Sequence, residues 1–137
     1  MDRMDKIFEE ETRRIIGCSF EVMNTLGCGF REKAYERALV RELELQQIPF
    51  DQQRQFPLNY KDTLVDTLIP DLVVFDQIIV DLKVIPKIGS IELAQMLSYL
   101  AATKLPLGLI INFQKPTVEF KRIYPLVKDN KPPNLLG

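Results

Sequence analysis

Asp71, Asp81 and Lys83 are charged residues in the oiliest part of the chain, the stretch Ile69-Pro70-Asp71-Leu72-Val73-Val74-Phe75-Asp76-Gln77-Ile78-Ile79-Val80-Asp81-Leu82-Lys83. The stretch reads as two apolar strands back to back. An ionised group withdrawn from water must be paired or must bind an ion. Strand alternation puts Asp81 and Lys83 on one face and Leu82 on the other. Two carboxylates gathered at that face repel unless a cation lies between them, and hard oxygen donors at an open site suit Mg²⁺ or Mn²⁺. The plainer alternative is a salt bridge from Lys83 to Asp81, with Asp71 capping a turn.

An acid two residues before a lysine is weak evidence on its own, because this chain has three: Asp81-Leu82-Lys83, Glu119-Phe120-Lys121 and Asp129-Asn130-Lys131. Only the first has a second carboxylate arriving on a neighbouring strand. That pairing makes a geometric demand. A tight two-residue turn at Asp76-Gln77 sets Asp71 opposite Leu82, and opposed residues share a face, so Asp71 would point away from Asp81. If both acids serve one ion, the hairpin needs an odd-numbered loop, or a bulge such as the break at Pro70 suggests.

Other chemistries are excluded by composition. The chain has no histidine, which removes Ser-His-Asp and Cys-His nucleophilic systems and every imidazole acid or base. Cys18 and Cys28 stand in no metal-ligand or redox spacing and read as reduced structural thiols. Any catalysis must use carboxylates, lysine, tyrosine or a metal. The formal net charge of −1 argues against a protein that coats nucleic acid by bulk electrostatics, though Lys87, Lys104, Lys115, Lys121 and Arg122 could line a local phosphate-binding face. The charged start Met1-Asp2-Arg3-Met4-Asp5-Lys6 does not resemble a signal peptide, and no apolar run is long enough to cross a bilayer. The expectation is one soluble cytoplasmic domain over residues 1–137, with a loosely held tail over 124–137.

The elements that must position these residues follow from periodicity. Met4, Ile7, Phe8, Ile15, Cys18, Val22 and Leu26 recur at helical steps, predicting a helix from about Met4 to Leu26, ended by Gly27-Cys28-Gly29. A second helix is expected from about Arg31 to Gln46, with Tyr35, Leu39 and Leu43 as its inner stripe and Glu32 on the same side. Glu32 there reads either as a first-turn acid stabilising its own helix or as a functional carboxylate on the inward stripe. Ile48-Pro49 ends that helix. Three strands in an antiparallel meander should follow, from Gln55 to Tyr60, from Leu64 into the opening stretch, and on to Lys83, with turns near 61–63 and 76–77. Ser90 is the expected N-cap of a helix through Thr103, with Leu93, Met96, Leu97 and Leu100 inward and Gln95 and Tyr99 together on another face. Leu107 to Phe113 reads as a strand buried on both faces, and Thr117 to Ile123 as a half-exposed one. A helix between the third and fourth strands is long enough to make them parallel neighbours.

In this order the residues resemble a known family. Gly29-Phe30-Arg31-Glu32-Lys33-Ala34-Tyr35 is similar to the motif of the GxxExxY proteins, a branch of the PD-(D/E)xK nuclease superfamily. Pro70-Asp71 followed by Asp81-Leu82-Lys83 resembles the superfamily signature, and Gln95-Met96-Leu97-Ser98-Tyr99 resembles the QxxxY element of some of its nucleases. The resemblance covers about Ile15 to Phe113. It implies an α/β (α+β) fold with a restriction-endonuclease-like core. In that core a mixed central sheet, with a three-strand antiparallel meander and a helical crossover to a further strand, is flanked by helices.

The resemblance also implies roles. Asp71, Asp81 and the Leu82 carbonyl would hold Mg²⁺ or Mn²⁺, with Glu32 a direct or water-mediated ligand. Lys83 would orient or help deprotonate the attacking water and stabilise charge on the phosphate. Gln95 and Tyr99 would position the phosphate or the acids. Histidine, frequent in the family near the positions of Met23 and Glu92, is absent. The implied activity is metal-dependent hydrolysis of nucleic-acid phosphodiesters, DNA before RNA, with a homodimer or partner subunit helping to bind the substrate. The alternatives are a nuclease-fold binding module whose chemistry has lapsed, and an enzyme of RNA or nucleotides.

Overall fold

A computed structural model describes residues 7–127 and residue 133. Among these residues two helices come first, α1 (Glu9–Leu26) and α2 (Glu32–Leu45), then strands β1 (Phe50–Gln52), β2 (Phe56–Tyr60), β3 (Thr63–Leu68), β4 (Leu72–Val74) and β5 (Ile78–Lys83). Helix α3 (Ser90–Thr103) crosses to β6 (Leu107–Asn112), and β7 (Glu119–Ile123) follows. The central sheet has the order β1-β4-β5-β6-β7, with β2 and β3 in a separate two-stranded ribbon. The crossover makes β5 and β6 parallel, while β1-β4, β4-β5 and β6-β7 are antiparallel. This is the expected mixed α/β sheet, flanked by helices on both faces.

Sheet alternation sorts the core into two layers. Leu72, Val74, Ile78, Val80, Leu82, Leu109, Ile111 and Phe113 meet the inner stripes of α1 and α2, including Ile15, Val22, Tyr35, Leu39 and Leu43. Ile79 and Ile110 face the other way and pack with Met96 and Leu100 of α3. Asp81 and Lys83 share the parity of Ile79, so they stand on the α3 face. Gly108 lets α3 come close: a Cβ there would lie 2.6 Å from Met96 Cγ and nearer still to its Sδ. A side chain at that position would force the Met96 side chain to shift.

One expectation is corrected. The strand expected at 55–60 does pair with the strand that follows the turn at 61–62, but that second strand does not run on into the opening stretch: it breaks into β3 and β4, so β2 and β3 stand apart as a ribbon and the antiparallel run in the central sheet is β1, β4 and β5. Pro70 marks where the ribbon ends and the sheet resumes, since proline cannot donate to the ladder. The bulge lies within the ribbon, where the register shifts at Leu58/Asn59. The N-cap of α3 is Gly89 rather than Ser90. Its amide donates to Glu92 Oε1 at 2.7 Å, so the acid three residues on completes the cap. Met4, the first residue of the expected first helix, lies outside the described residues, and α1 begins at Glu9. Of the expected tail, Tyr124 packs against the core and Leu126 and Val127 are exposed, while 128–132 and 134–137 lie outside the described residues. No helix among the described residues is long and apolar enough to cross a membrane.

Candidate active site

The β4–β5 hairpin meets the geometric demand with a three-residue loop. Val74 pairs with Ile78 and Leu72 with Val80, leaving Phe75, Asp76 and Gln77 in the turn. One further step of that register sets Asp71 opposite Asp81, on the same face. The loop places two non-glycine residues at positive φ, 55° at Phe75 and 59° at Asp76, a conformation uncommon for bulky side chains. Surrounding contacts hold it there. The Phe75 amide donates to Pro49 O at 2.9 Å, Arg14 lies over the Phe75 ring, and Arg54 Nη1 meets Asp76 Oδ1 at 2.6 Å.

Around the paired acids the side chains interlock. Asp71 Oδ2 accepts the Leu82 amide at 2.9 Å. Lys83 Nζ lies 3.2 Å from Asp81 Oδ2 and donates to Gln95 Oε1 at 2.9 Å. Gln95 Nε2 donates to the Tyr99 hydroxyl at 3.5 Å, a long contact. Asp81 is buried, Asp71 and Lys83 half-buried, and Gln95 exposed, so the cluster opens to solvent along α3. Asp71, Asp81, Leu82, Lys83, Gln95 and Tyr99 are thus brought together by two strands and one helix.

Electrostatics marks the same residues. Burial, then the neighbouring Asp81 charge, pushes the Asp71 carboxyl up to about 6 against a partly offsetting hydrogen bond from Leu82. Burial alone would lower the Lys83 pKa, but Asp81, Glu32 and Asp71 together outweigh it and leave the ammonium more firmly protonated than usual. Tyr99 is shifted up by burial and then by the two aspartates. Such clustered shifts in carboxylates and their neighbours are typical of functional sites.

Glu32 arrives from the opposite side of the sheet. It is exposed at the first turn of α2, and burial followed by the charge of Asp71 raises its pKa, while Lys83 lowers it. It therefore lies within the field of the cluster. Among the described residues, however, no three acid, histidine or cysteine side chains converge closely enough to cage an ion by themselves. The turn before Glu32 is locked by Tyr35, whose hydroxyl donates to Gly27 O at 2.7 Å and accepts the Phe30 amide at 3.3 Å. Gly27 and Gly29 supply the positive φ values, 76° and 106°, that the turn requires. The Tyr35 ring stacks on Phe113 at 4.8 Å, and the Phe113 amide donates to Lys83 O at 2.9 Å. Gly27, Gly29 and Tyr35 thus form one mechanical unit that ties the start of α2 to the end of β5.

Glu36 was not anticipated. It is 4% exposed, one turn beyond Glu32, with Lys33 Nζ at 3.6 Å and Gln52 Nε2 at 3.3 Å. Its four-residue step from Glu32 was the available signal. The pair β5/β6 carries a further polar group on the same face as Lys83: Asn112, its register partner, is 3% exposed.

A mixed sheet covered by helices, with opposed carboxylates and a lysine at the end of its central hairpin, is restriction-endonuclease-like. A family model for the PD-(D/E)XK nuclease superfamily matches residues 9–123, and the chain belongs to that superfamily. No curated protein gives a significant match, and no solved structure does. Membership points to nuclease activity and to nucleic acid as partner.

Proposed function

We propose that the chain is a divalent-metal-dependent nuclease of the GxxExxY type, hydrolysing phosphodiester bonds of nucleic acid, DNA in preference to RNA. The observation that carries this reading is the opposition of Asp71 and Asp81 on one face, with Lys83 bridging Asp81 to Gln95.

The donor set fits Mg²⁺ or Mn²⁺: two hard carboxylates side by side, one with its pKa raised by burial and then by its neighbour, are groups a cation would relieve. Asp71, Asp81 and the Leu82 carbonyl would hold the ion, with Glu32 reaching it through water. When bound, the ion supplies Lewis-acid polarisation of the phosphoryl group and lowers the pKa of water. The chain's own residues do the rest. Lys83, whose ammonium lies between Asp81 and Gln95, would place positive charge beside the developing phosphoryl anion and orient the attacking water. Gln95 orients that ammonium, and Tyr99 holds Gln95. The Leu82 amide keeps the Asp71 carboxylate aimed inward. The reading extends to a single cytoplasmic domain that works as a homodimer or with a partner subunit, because a small, slightly acidic surface binds nucleic acid weakly alone.

The Lys83–Asp81 ion pair also favours a second reading, in which the ammonium takes the place of the metal and the chain serves as a binding module. Incubation of linear and circular DNA, and of RNA, with Mg²⁺ or Mn²⁺ separates the two. Cleavage that disappears in Asp81→Ala and Lys83→Ala supports the nuclease. Cleavage that survives both substitutions rules out this site, and nucleic-acid binding without cleavage or metal uptake selects the module.

A further inference from the structure

We propose that the cleft between the β5–α3 and β6–β7 loops is a second phosphate site, which grips the substrate backbone at a phosphate other than the one being cleaved. The inference rests on the nuclease reading and adds a part to it. The five basic residues that the sequence groups together are dispersed in the fold. Lys104 caps the far end of α3. Arg122 is spent on the Ile7 carbonyl and the Tyr124 ring. Lys121 is exposed on β7, opposite Ile110. Lys87 and Lys115 alone converge, on a cleft of about 350 Å³ that they line with Pro86, Asn112, Thr117 and Glu119.

The floor of this cleft is rigid. Asn112 Oδ1 accepts the amides of Ile85 and Gln114 at 3.1 and 3.3 Å, and its Nδ2 donates to Ile85 O at 2.8 Å and to Glu119 Oε1 at 3.0 Å. Glu119 Oε1 also accepts the Ile88 amide at 3.1 Å. Carboxamide and carboxylate together pin the loop that carries Lys87. The Asn112 hydrogen bond, with lesser help from Lys115 and Lys121, holds the Glu119 pKa below its ordinary value. Glu119 is the one negative group lining the cleft, and one of its oxygens is already taken. Neither Lys87 nor Lys115 makes an ion pair among the described residues, so two ammonium groups remain for an anion, with the Thr117 hydroxyl as a further donor.

Position supplies the ligand. The cleft lies at the carboxyl ends of the parallel strands β5 and β6, where open α/β sheets bind their ligands. Its floor residue Asn112 pairs in register with Lys83, one strand spacing of about 4.8 Å away. A strand whose scissile phosphate meets Lys83 is therefore led across this end of the sheet, where a cleft with two free ammonium groups matches a neighbouring phosphodiester.

The test is fluorescence anisotropy of a labelled DNA oligonucleotide in EDTA over a range of salt, with wild type, Lys87→Gln/Lys115→Gln, Glu119→Gln and, as a distant control, Lys104→Gln. The double variant should bind about tenfold more weakly, and its log–log salt slope should fall by roughly one, the value for one lost phosphate contact. Glu119→Gln should bind about twofold more tightly, and Lys104→Gln should match wild type. Both lysines are exposed, and circular dichroism checks that the variants fold. If wild type binds and the double variant binds equally with the same slope, the second site is overturned while the nuclease reading stands. If wild type neither binds nor cleaves nucleic acid, both fall.

Discussion

Asp71 Oδ2 accepts the backbone amide of Leu82 at 2.9 Å, which latches the carboxylate that precedes β4 to the main chain immediately after Asp81. The latch fixes two acids side by side at a cost, because their charges repel. That cost has consequences for pH. The Asp71 pKa rises from 3.8 to about 6 on folding, so between these values the folded chain holds a proton that the unfolded chain has released. The group therefore favours folding fully below pH 3.8, and this contribution is lost as the pH rises through about 6. With solvent screening allowed for, about 1 kcal/mol is at stake. The metal-free protein should melt a few degrees higher at pH 5 than at pH 7. Asp71→Asn, which keeps an acceptor for Leu82, should flatten that difference; an unchanged profile in the variant would contradict the assignment.

Metal should reverse the balance. Mn²⁺ or Mg²⁺ at a hundredfold excess over its dissociation constant should stabilise wild type by about 2.7 kcal/mol, with affinity increasing from pH 5 to 7 as Asp71 loses its proton. Thermal melts with metal and with EDTA measure this, and Asp81→Ala should show no shift between them.

Lys83 is expected to act in the transition state more than in binding. Lys83→Met should lower kcat by roughly 10²–10³-fold and leave KM nearly unchanged, as for the loss of one preorganised donor. Gln95→Ala, which only frees the ammonium, should cost about tenfold. Steady-state kinetics on one oligonucleotide would reveal the reverse pattern, a raised KM with normal kcat, if Lys83 merely attracts substrate.

Gly108→Ala should act on the site from beneath. The new Cβ displaces the Met96 side chain, whose neighbour in sequence is Gln95, so the contact between α3 and β6 must repack. Overpacking of this kind costs about 1–3 kcal/mol. The loss of activity should exceed what the fraction unfolded explains, and a compensating Met96→Ala should recover part of it.

Tyr35→Phe removes one donor and one acceptor from the Gly27–Phe30 turn while keeping the stack on Phe113. The expected loss is about 1–2 kcal/mol in denaturant unfolding. Metal affinity should fall with it, because the turn sets where Glu32 begins α2.

The acids and the lysine were legible in the sequence because charge inside apolar strands is anomalous in itself, and the helices because their stripes are long. Leu107 to Phe113 could be read as a fully buried strand because it is almost wholly apolar, and β6 (Leu107–Asn112) is buried along its whole length. Two acids that serve one ion require an odd-numbered turn or a bulge, and Phe75-Asp76-Gln77 supplies the turn. What could not be read lay in short or two-sided segments. Phe50–Gln52 is three residues without alternation, so it gave no strand signal, yet it takes the place beside β4 that the sequence assigns to the strand at 55–60. The ribbon is exposed on both faces at Leu64 and Val65, and no core-facing pattern marked it as separate from the sheet. Glu36 is buried beside Tyr35 because the inner face of α2 is broader than its four-residue stripe, and a lysine and a glutamine from outside that stripe meet its charge.

The ribbon leaves and rejoins the sheet at a single point, since Gln52 and Leu72 are register partners. Everything between them is an excursion whose two ends already touch, and its last residue is Asp71 itself. Doubling the length of such an excursion costs only about 0.6 kcal/mol in closure entropy. The ribbon is thus a grafting port, a place where a longer arm or a foreign module can be spliced in beside the acid cluster while the sheet that holds it stays intact.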